Sequence, residues 1–233
     1  MDTDLTPEKI RIIVQGMIIL LFSICVHEFG HAYAADRIGD RLPRRQGRVT
    51  LNPMAHADPI GTLLLPFLFL ATTNGLGFGW GKPVEHTTHD RKKRVFISFA
   101  GPAMNVVLAV IVAVLHSALV AGGIVKLDAE ISRALEYAVI LNFVLFFFNL
   151  LPAAPLDGGS VVRGLIPRGW LDAWDKYAVY APFVVMAFIL VGPLGKIFTL
   201  PARFCADKLY EVLALIFGTT DLSHWVHLVW GIK

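Results

Sequence analysis

Long stretches without a single Asp, Glu, Lys or Arg constrain this chain more than any other feature. They run from Val95 to Val125, Tyr137 to Leu156 and Tyr177 to Gly195, and Ile12 to Ala35 joins them if one glutamate, Glu28, is allowed. A bilayer core is crossed by about 20 mostly apolar residues in a helix, so each run is long enough to span. Composition agrees: 55% of residues are apolar and 17% charged, with a mean hydropathy of +0.62, against about 25% charged in soluble domains. A water-soluble globule is excluded. The expected fold is an all-α polytopic membrane protein, a bundle of four to six transmembrane helices.

Charge placement sets an expected topology. Arg37, Arg41, Arg44, Arg45 and Arg48 precede the apolar stretch Ile60 to Ala71, while Lys82, Arg91, Lys92, Lys93 and Arg94 follow it. Both loops are drawn to the cytoplasmic side by the positive-inside rule. A segment with both ends on one side does not cross, so Ile60 to Ala71 reads as a re-entrant or interfacial helix, with Asp58 as N-cap and Pro59 at its first position. Residues 72–81 read as loop. The tail from Pro201 is interrupted by Asp207, Lys208 and Glu211, and reads as a short tilted span or an amphipathic interfacial helix.

Ala32-Tyr33-Ala34 looks like a signal-peptidase site, but Asp2, Asp4 and Glu8 deny the leading segment a basic character and the run is too long. The two cysteines, Cys25 and Cys205, exclude a disulfide framework or a Cys-rich metal site. The net charge of +3 is dispersed over short loops, so nucleic acid is not an expected partner. No repeat or low-complexity tract appears, and residues 1–233 read as one membrane-embedded domain, with a core at 10–165 and C-terminal helices at 177–233.

Chemistry enters at His27-Glu28-Phe29-Gly30-His31, an H-E-x-x-H pattern inside the first apolar run. Residues four apart on a helix differ by about 40° around the axis and about 6 Å along it, so both imidazoles face one point. That is the geometry of a two-histidine zinc site, with Glu28 placed to act as a general base rather than a ligand. Chance packing of two histidines would leave Glu28 unexplained, because a carboxylate at membrane depth costs roughly 2.5–3.5 kcal/mol on insertion scales. Gly30 lets another backbone approach the same helix.

A catalytic zinc usually has three protein ligands, so one more must come from elsewhere. Asp157 is the candidate, in Asn149-Leu150-Leu151-Pro152-Ala153-Ala154-Pro155-Leu156-Asp157-Gly158-Gly159. The prolines put it on irregular backbone, which membrane depth tolerates only beside protein or a water-filled cavity. Taken alone, Asp-Gly after prolines reads as a turn.

Together these motifs resemble the site-2 protease family of intramembrane zinc metalloproteases, whose H-E-x-x-H and L-D-G sequences match His27 to His31 and Leu156-Asp157-Gly158. Gly101-Pro102-Ala103-Met104-Asn105 is similar to the family's G-P-x-x-N, and the segment Arg48 to Thr62 looks like its compact bacterial members. The resemblance covers roughly residues 10–165, with neither a PDZ insertion nor a nucleotide-sensing module.

It implies Zn2+ held by His27, His31 and Asp157, Glu28 as catalytic base, and Asn149 holding substrate. The implied activity is hydrolysis of peptide bonds within or near transmembrane segments, as in regulated intramembrane proteolysis, with a transmembrane protein as substrate in the bilayer of the cell membrane.

Asn105 and His56 are further candidate substrate contacts, and Arg48-Val49-Thr50-Leu51 is expected to form a short β element whose edge pairs with unwound substrate. His86, His89, His224 and His227 read as surface residues, and His116 as a core histidine with its hydrogen bonds met. The alternative function is a metal-ion transporter in which His27, His31 and Asp157 are stations on an ion path, but ligands on several helices and repeated halves are lacking. An inactive scaffold is disfavoured by the intact motifs.

Overall fold

The computed structural model describes residues 6–72, 79–191 and 193–219. Three helices in it are long and apolar enough to cross a membrane: α1 (Pro7–Arg37), α5 (Arg91–Ala121) and α6 (Glu130–Asn149). Between α1 and α5 come the single turns α2 (Leu42–Arg45) and α3 (Pro53–His56), then a π-turn at Pro59–Leu64 that runs into α4 (Leu65–Thr72). After α6 follow α7 (Asp157–Leu165), α8 (Leu171–Val191) and α9 (Pro193–Phe217).

The side-chain register gives the directions. His31 meets Ile97 and Ser23 meets Asn105, so α5 runs antiparallel to α1. Asn105 meets Asn142 and His116 meets Ser132, so α6 turns back again and lies parallel to α1. The α5–α6 seam is built on small residues: Ala109 and Ala113 are fully buried against Val139, Ile140 and Phe143. Without a hydrophobic drive between helices in lipid, small residues let backbones approach for dispersion contact. Helix α9 closes this seam with Ala202, Ala206, Tyr210 and Leu213, spaced four, four and three apart on one face.

Polar clamps organise the two ends of the bundle. At one end, buried Asp36 accepts from Arg41 (2.8 Å) and from both arms of Arg44 (2.8 and 2.7 Å). Asp40 accepts from the backbone N–H groups of Leu42, Thr87 and Thr88. Burial opposes ionisation of Asp40, but those N–H groups outweigh it and hold its carboxyl below the usual range. Arg48, 5% exposed, donates to the carbonyls of Ala55, Lys82 (2.9 Å) and Pro83 (2.9 Å). These contacts tie the loop after α1 to the loop before α5, and Arg91 continues the layer by donating to the Arg163 carbonyl at 2.9 Å. At the other end Arg11 pairs with Glu130 at 3.1 Å, bringing the start of α1 beside the start of α6.

The segment between the basic loops begins as expected. Asp58 caps it, accepting from Ile60 and Gly61 at 3.0 and 2.7 Å, with Pro59 first. Its two flanks are bonded together: Trp80 donates to Gly61 O (3.0 Å) and Lys82 to His56 O (2.8 Å), while Leu70 lies against Gly16 of α1.

Three expectations need correction. Among the described residues there is no strand, and residues 48–51 are not a β element. Arg48 turns inward, the Thr50 carbonyl accepts from His56 (2.9 Å), and the Leu51 carbonyl from the Cys25 thiol (3.4 Å). Those contacts occupy acceptors a pairing edge would offer. Second, the helix expected to start near Tyr137 starts at Glu130, with Glu130 and Arg133 paired in its exposed first turn, and it ends before Pro152 as the prolines implied. Third, the described part of the tail is one helix, Pro193–Phe217, with Pro201 inside it, rather than an element that begins after 201. His224, His227 and residues 73–78 lie outside the described residues.

Candidate metal centre

Helix α1 delivers His27 and His31 to one point, one turn apart, and both are buried. The rings stand nearly perpendicular (83°) with centroids 4.7 Å apart. The chain leaves α6, folds through Pro152 and Pro155, and starts α7 at Asp157, which therefore opens a helix instead of riding on irregular backbone. This return is so tight that a Cβ at Gly158 would lie 2.3 Å from the carbonyl oxygens of Leu150 and Leu151. Asp157 Oδ2 ends 3.1 Å from His27 Nε2 and 3.3 Å from His31 Nε2, and the two Nε2 atoms are 3.1 Å apart.

That triangle has the size of a metal site. Ligand atoms about 2.0–2.1 Å from a tetrahedral zinc are separated by about 3.3–3.4 Å, and the three observed edges lie within a few tenths of that. His27, His31 and Asp157 form the one group of three or more such side chains among the described residues whose donor atoms converge in this way. Two nitrogens and one carboxylate oxygen leave a fourth position open, the pattern of a catalytic rather than a structural site.

The outer ring nitrogens are also held. His31 Nδ1 lies 2.7 Å from the Ile97 carbonyl, which can only accept, so Nδ1 carries the proton and Nε2 presents its lone pair inward. His27 Nδ1 lies 2.7 Å from Asn105 Oδ1. Both partners come from α5, which reaches them because two glycines remove the obstruction. A Cβ at Gly30 would sit 2.7 Å from Ala100 O, and one at Gly101 would sit 2.2 Å from His31 Nε2 and 2.9 Å from His27 Cε1.

Glu28 is buried beside the histidines, and its Oε2 has no hydrogen-bond partner within the protein. An unpartnered buried carboxylate oxygen costs free energy unless something at the site uses it. Gly81 passes over its stem: a Cβ there would be 3.1 Å from Glu28 Cγ.

The remaining candidates separate. Asn105 is fully buried with its amide occupied by protein, donating to Ser23 O and Asn142 Oδ1, so it serves His27 and is closed to a substrate. Asn149 donates back to Leu145 O (2.9 Å) at the end of α6 and is half-buried. His56 is 1% exposed; its Nε2 donates to Thr50 O and its Nδ1 has no protein partner, and burial holds the imidazole below its usual range. His116 is a core residue, bonded to Tyr210 OH (2.9 Å) and Ser132 Oγ (2.5 Å), as its solitary place in an apolar run implied. His89 is exposed, whereas His86 is half-buried. Sequence reasoning overlooked Ser23, Asn142 and the Ile97 carbonyl. A polar residue inside an apolar run was the available signal for the first two.

A model of peptidase family M50 matches residues 15–123 and 118–191. Among curated proteins, YwhC of Bacillus subtilis, named as a zinc metalloprotease, is 35% identical over 209 residues, 86% of this chain and 91% of that protein. Rip2 of Mycolicibacterium smegmatis, named likewise, is 37% identical over 181 residues, 74% of this chain and 65% of its own. Zinc metalloprotease MJ0392 of Methanocaldococcus jannaschii is 22% identical over 180 residues, 76% of this chain and 42% of its own. No solved structure gives a significant match.

The close approach of α5 makes a sharp prediction. Gly101→Ala should push both imidazoles off the shared point and lower bound zinc in the purified chain at least tenfold, read by elemental analysis after dialysis against a weak chelator. Full zinc occupancy in that variant would mean that the imidazoles do not need the glycine.

Proposed function

The chain belongs to peptidase family M50, and we propose that it hydrolyses peptide bonds within or near transmembrane segments, holding zinc with His27, His31 and Asp157 and moving the proton with Glu28. Family membership makes it a zinc metalloprotease, and its apolar helices make it a membrane protein. The observation that carries the residue assignment is the triangle of two Nε2 atoms and one carboxylate oxygen beside an unpartnered Glu28. A metal-ion path would need further stations, and no second convergent group of this kind occurs among the described residues.

Bound zinc supplies Lewis acidity that polarises a carbonyl and acidifies water. Around it the protein residues have separate tasks. Glu28 takes a proton from the attacking water at its free Oε2 and returns it to the leaving amine. Asp157 adds negative charge beside the two Nε2 atoms, while Ile97 and Asn105 keep the imidazoles from turning. Asn149, half-buried at the end of α6, is the residue proposed to hold substrate, whereas His56, buried like Asn105, is closed to it. A substrate helix must unwind first, because its own i to i−4 hydrogen bonds shield the scissile bond.

Residues 1–233 act as one membrane domain in this reading, and the Pro59–Thr72 segment is re-entrant. Its flanks bond to each other at one level, and the basic loops on either side are clamped by Asp40 and Arg48. We place that end in the cytoplasm of a multi-pass cell-membrane protein, by the positive-inside rule. Water then enters from a face about 9 Å beyond His31, the rise of the six residues to Arg37. The activity would serve regulated intramembrane proteolysis of transmembrane substrates.

Two substitutions separate the roles. Glu28→Gln should retain zinc and lose cleavage of a model transmembrane substrate by a factor of about 10²–10⁴. Asp157→Ala should lose zinc as well as activity, since a three-ligand site gives up its charged oxygen. Normal turnover by the first, or wild-type zinc affinity in the second, would remove that residue from its role.

The topology has its own test. Cysteines placed one at a time at Gly47, Thr88 and Asp128, in a background lacking Cys25 and Cys205, are exposed to a membrane-impermeant maleimide in intact cells. Only position 128 should react. Labelling at 88 without labelling at 47 would make the Ile60 segment a true span, and would contradict the common side of the two basic loops.

A further inference from the structure

Ser23 on α1, Asn105 on α5 and Asn142 on α6 meet inside the bundle, each 1% exposed or less. We propose that Asn142, together with Ser23, is a positioning residue for His27: acting through Asn105, it determines which imidazole nitrogen faces the metal. This rests on the reading that His27 holds zinc.

The direction of every hydrogen bond in the group follows from backbone carbonyls, which can only accept. Ser23 Oγ donates to the Ile19 carbonyl at 2.8 Å, so its oxygen is left to accept. The Asn142 amide faces Ser23 Oγ at 2.9 Å and the Ala138 carbonyl at 2.8 Å, and both must receive protons, so this end of Asn142 is Nδ2. Its Oδ1 therefore points at Asn105 and accepts from Asn105 Nδ2 at 2.9 Å. The second Nδ2 proton of Asn105 goes to the Ser23 carbonyl at 3.2 Å. With both protons committed, Asn105 can offer His27 Nδ1 only its oxygen, at 2.7 Å. An oxygen there selects the tautomer with the proton on Nδ1 and the lone pair on Nε2. Reversing either amide would set acceptor against acceptor in a region closed to water, where unmade hydrogen bonds are costly.

Comparison with His31 shows why a relay is needed at one histidine only. The outer partner of His31 is a backbone carbonyl, whose orientation the helix already determines. The outer partner of His27 is a side-chain amide, which presents either an acceptor or a donor according to its rotation. Asn142 and Ser23 remove that freedom. Their hydrogen bonds run to one another, to Asn105 and to the carbonyls of Ile19 and Ala138, so their effect on zinc passes through Asn105.

The test is zinc affinity of the full chain purified in detergent, measured by competition with a chromophoric chelator, for the wild type, Asn142→Leu, Asn105→Leu and the double variant. Losing outer partners of a ligating histidine typically costs 10–100-fold in metal affinity. Asn142→Leu should weaken zinc about tenfold and Asn105→Leu more. The double variant should match Asn105→Leu alone, because the two act in series. Cobalt loaded in place of zinc should show altered d–d absorption in Asn142→Leu, a signature that a purely structural role would not move.

Ser23→Ala, which removes only one small acceptor, should weaken zinc in the same direction by a smaller factor, and it supplies the comparison if Asn142→Leu does not fold. Wild-type affinity in Asn142→Leu, or in Ser23→Ala where that variant stands in, would overturn the relay, as would losses that multiply in the double variant. If the wild-type chain itself held no zinc, the reading of the metal centre would fail with it; tight wild-type binding with unchanged variants would sink the relay alone.

Discussion

The close packing of α5 on α1 is the contact on which the rest of the molecule depends. Gly30 and Gly101 allow backbone and imidazole to approach where a methyl group would collide. From that approach come the Ile97 carbonyl behind His31 and the Asn105 amide behind His27. A histidine pair on one helix face is only a coincidence of spacing until something holds each ring with its Nε2 inward. Here the holding groups lie on the next long apolar helix, so assembling the bundle also fixes both imidazoles.

Parity carries this local arrangement to the whole chain. His31 is near the C-terminal end of α1, and Asp157 follows the C-terminal end of α6, so the two meet only if α1 and α6 run the same way. One antiparallel helix between them, α5, satisfies this, and Lys82, donating to the His56 carbonyl, lies beside the start of the Pro59–Thr72 segment. The clamps made by Asp40 and Arg48 hold both flanking loops at that level. Arg48 does so with carbonyl partners alone, which neutralise little charge but fill its directed N–H groups.

Much of this was legible in the sequence, for identifiable reasons. Charge-free runs mark helices because lipid excludes unpaired charge, and the H-E-x-x-H spacing encodes convergence without any tertiary information. The Asp58-Pro59 start of the middle segment was legible for the same local reason. What failed was tertiary. Residues 48–51 have strand-like composition, yet Arg48, His56 and Cys25 draw their groups into side-chain contacts. Asn105 reads equally well as a substrate contact or a helix-packing residue, and only the register of α5 on α1 shows it bonded to His27. Asn142 drew no attention, because a polar residue in an apolar run acquires meaning from whichever residue faces it on the neighbouring helix.

One metal held by two imidazoles and one carboxylate is the centre of the proposed chemistry. X-ray absorption at the zinc edge, on the full chain purified with its native metal, reads that first shell directly. The predicted spectrum has only nitrogen and oxygen neighbours at about 2.0–2.2 Å, with the outer-shell scattering of two imidazole rings. A sulfur neighbour, or fewer than two imidazoles, would contradict the site assembled from His27, His31 and Asp157.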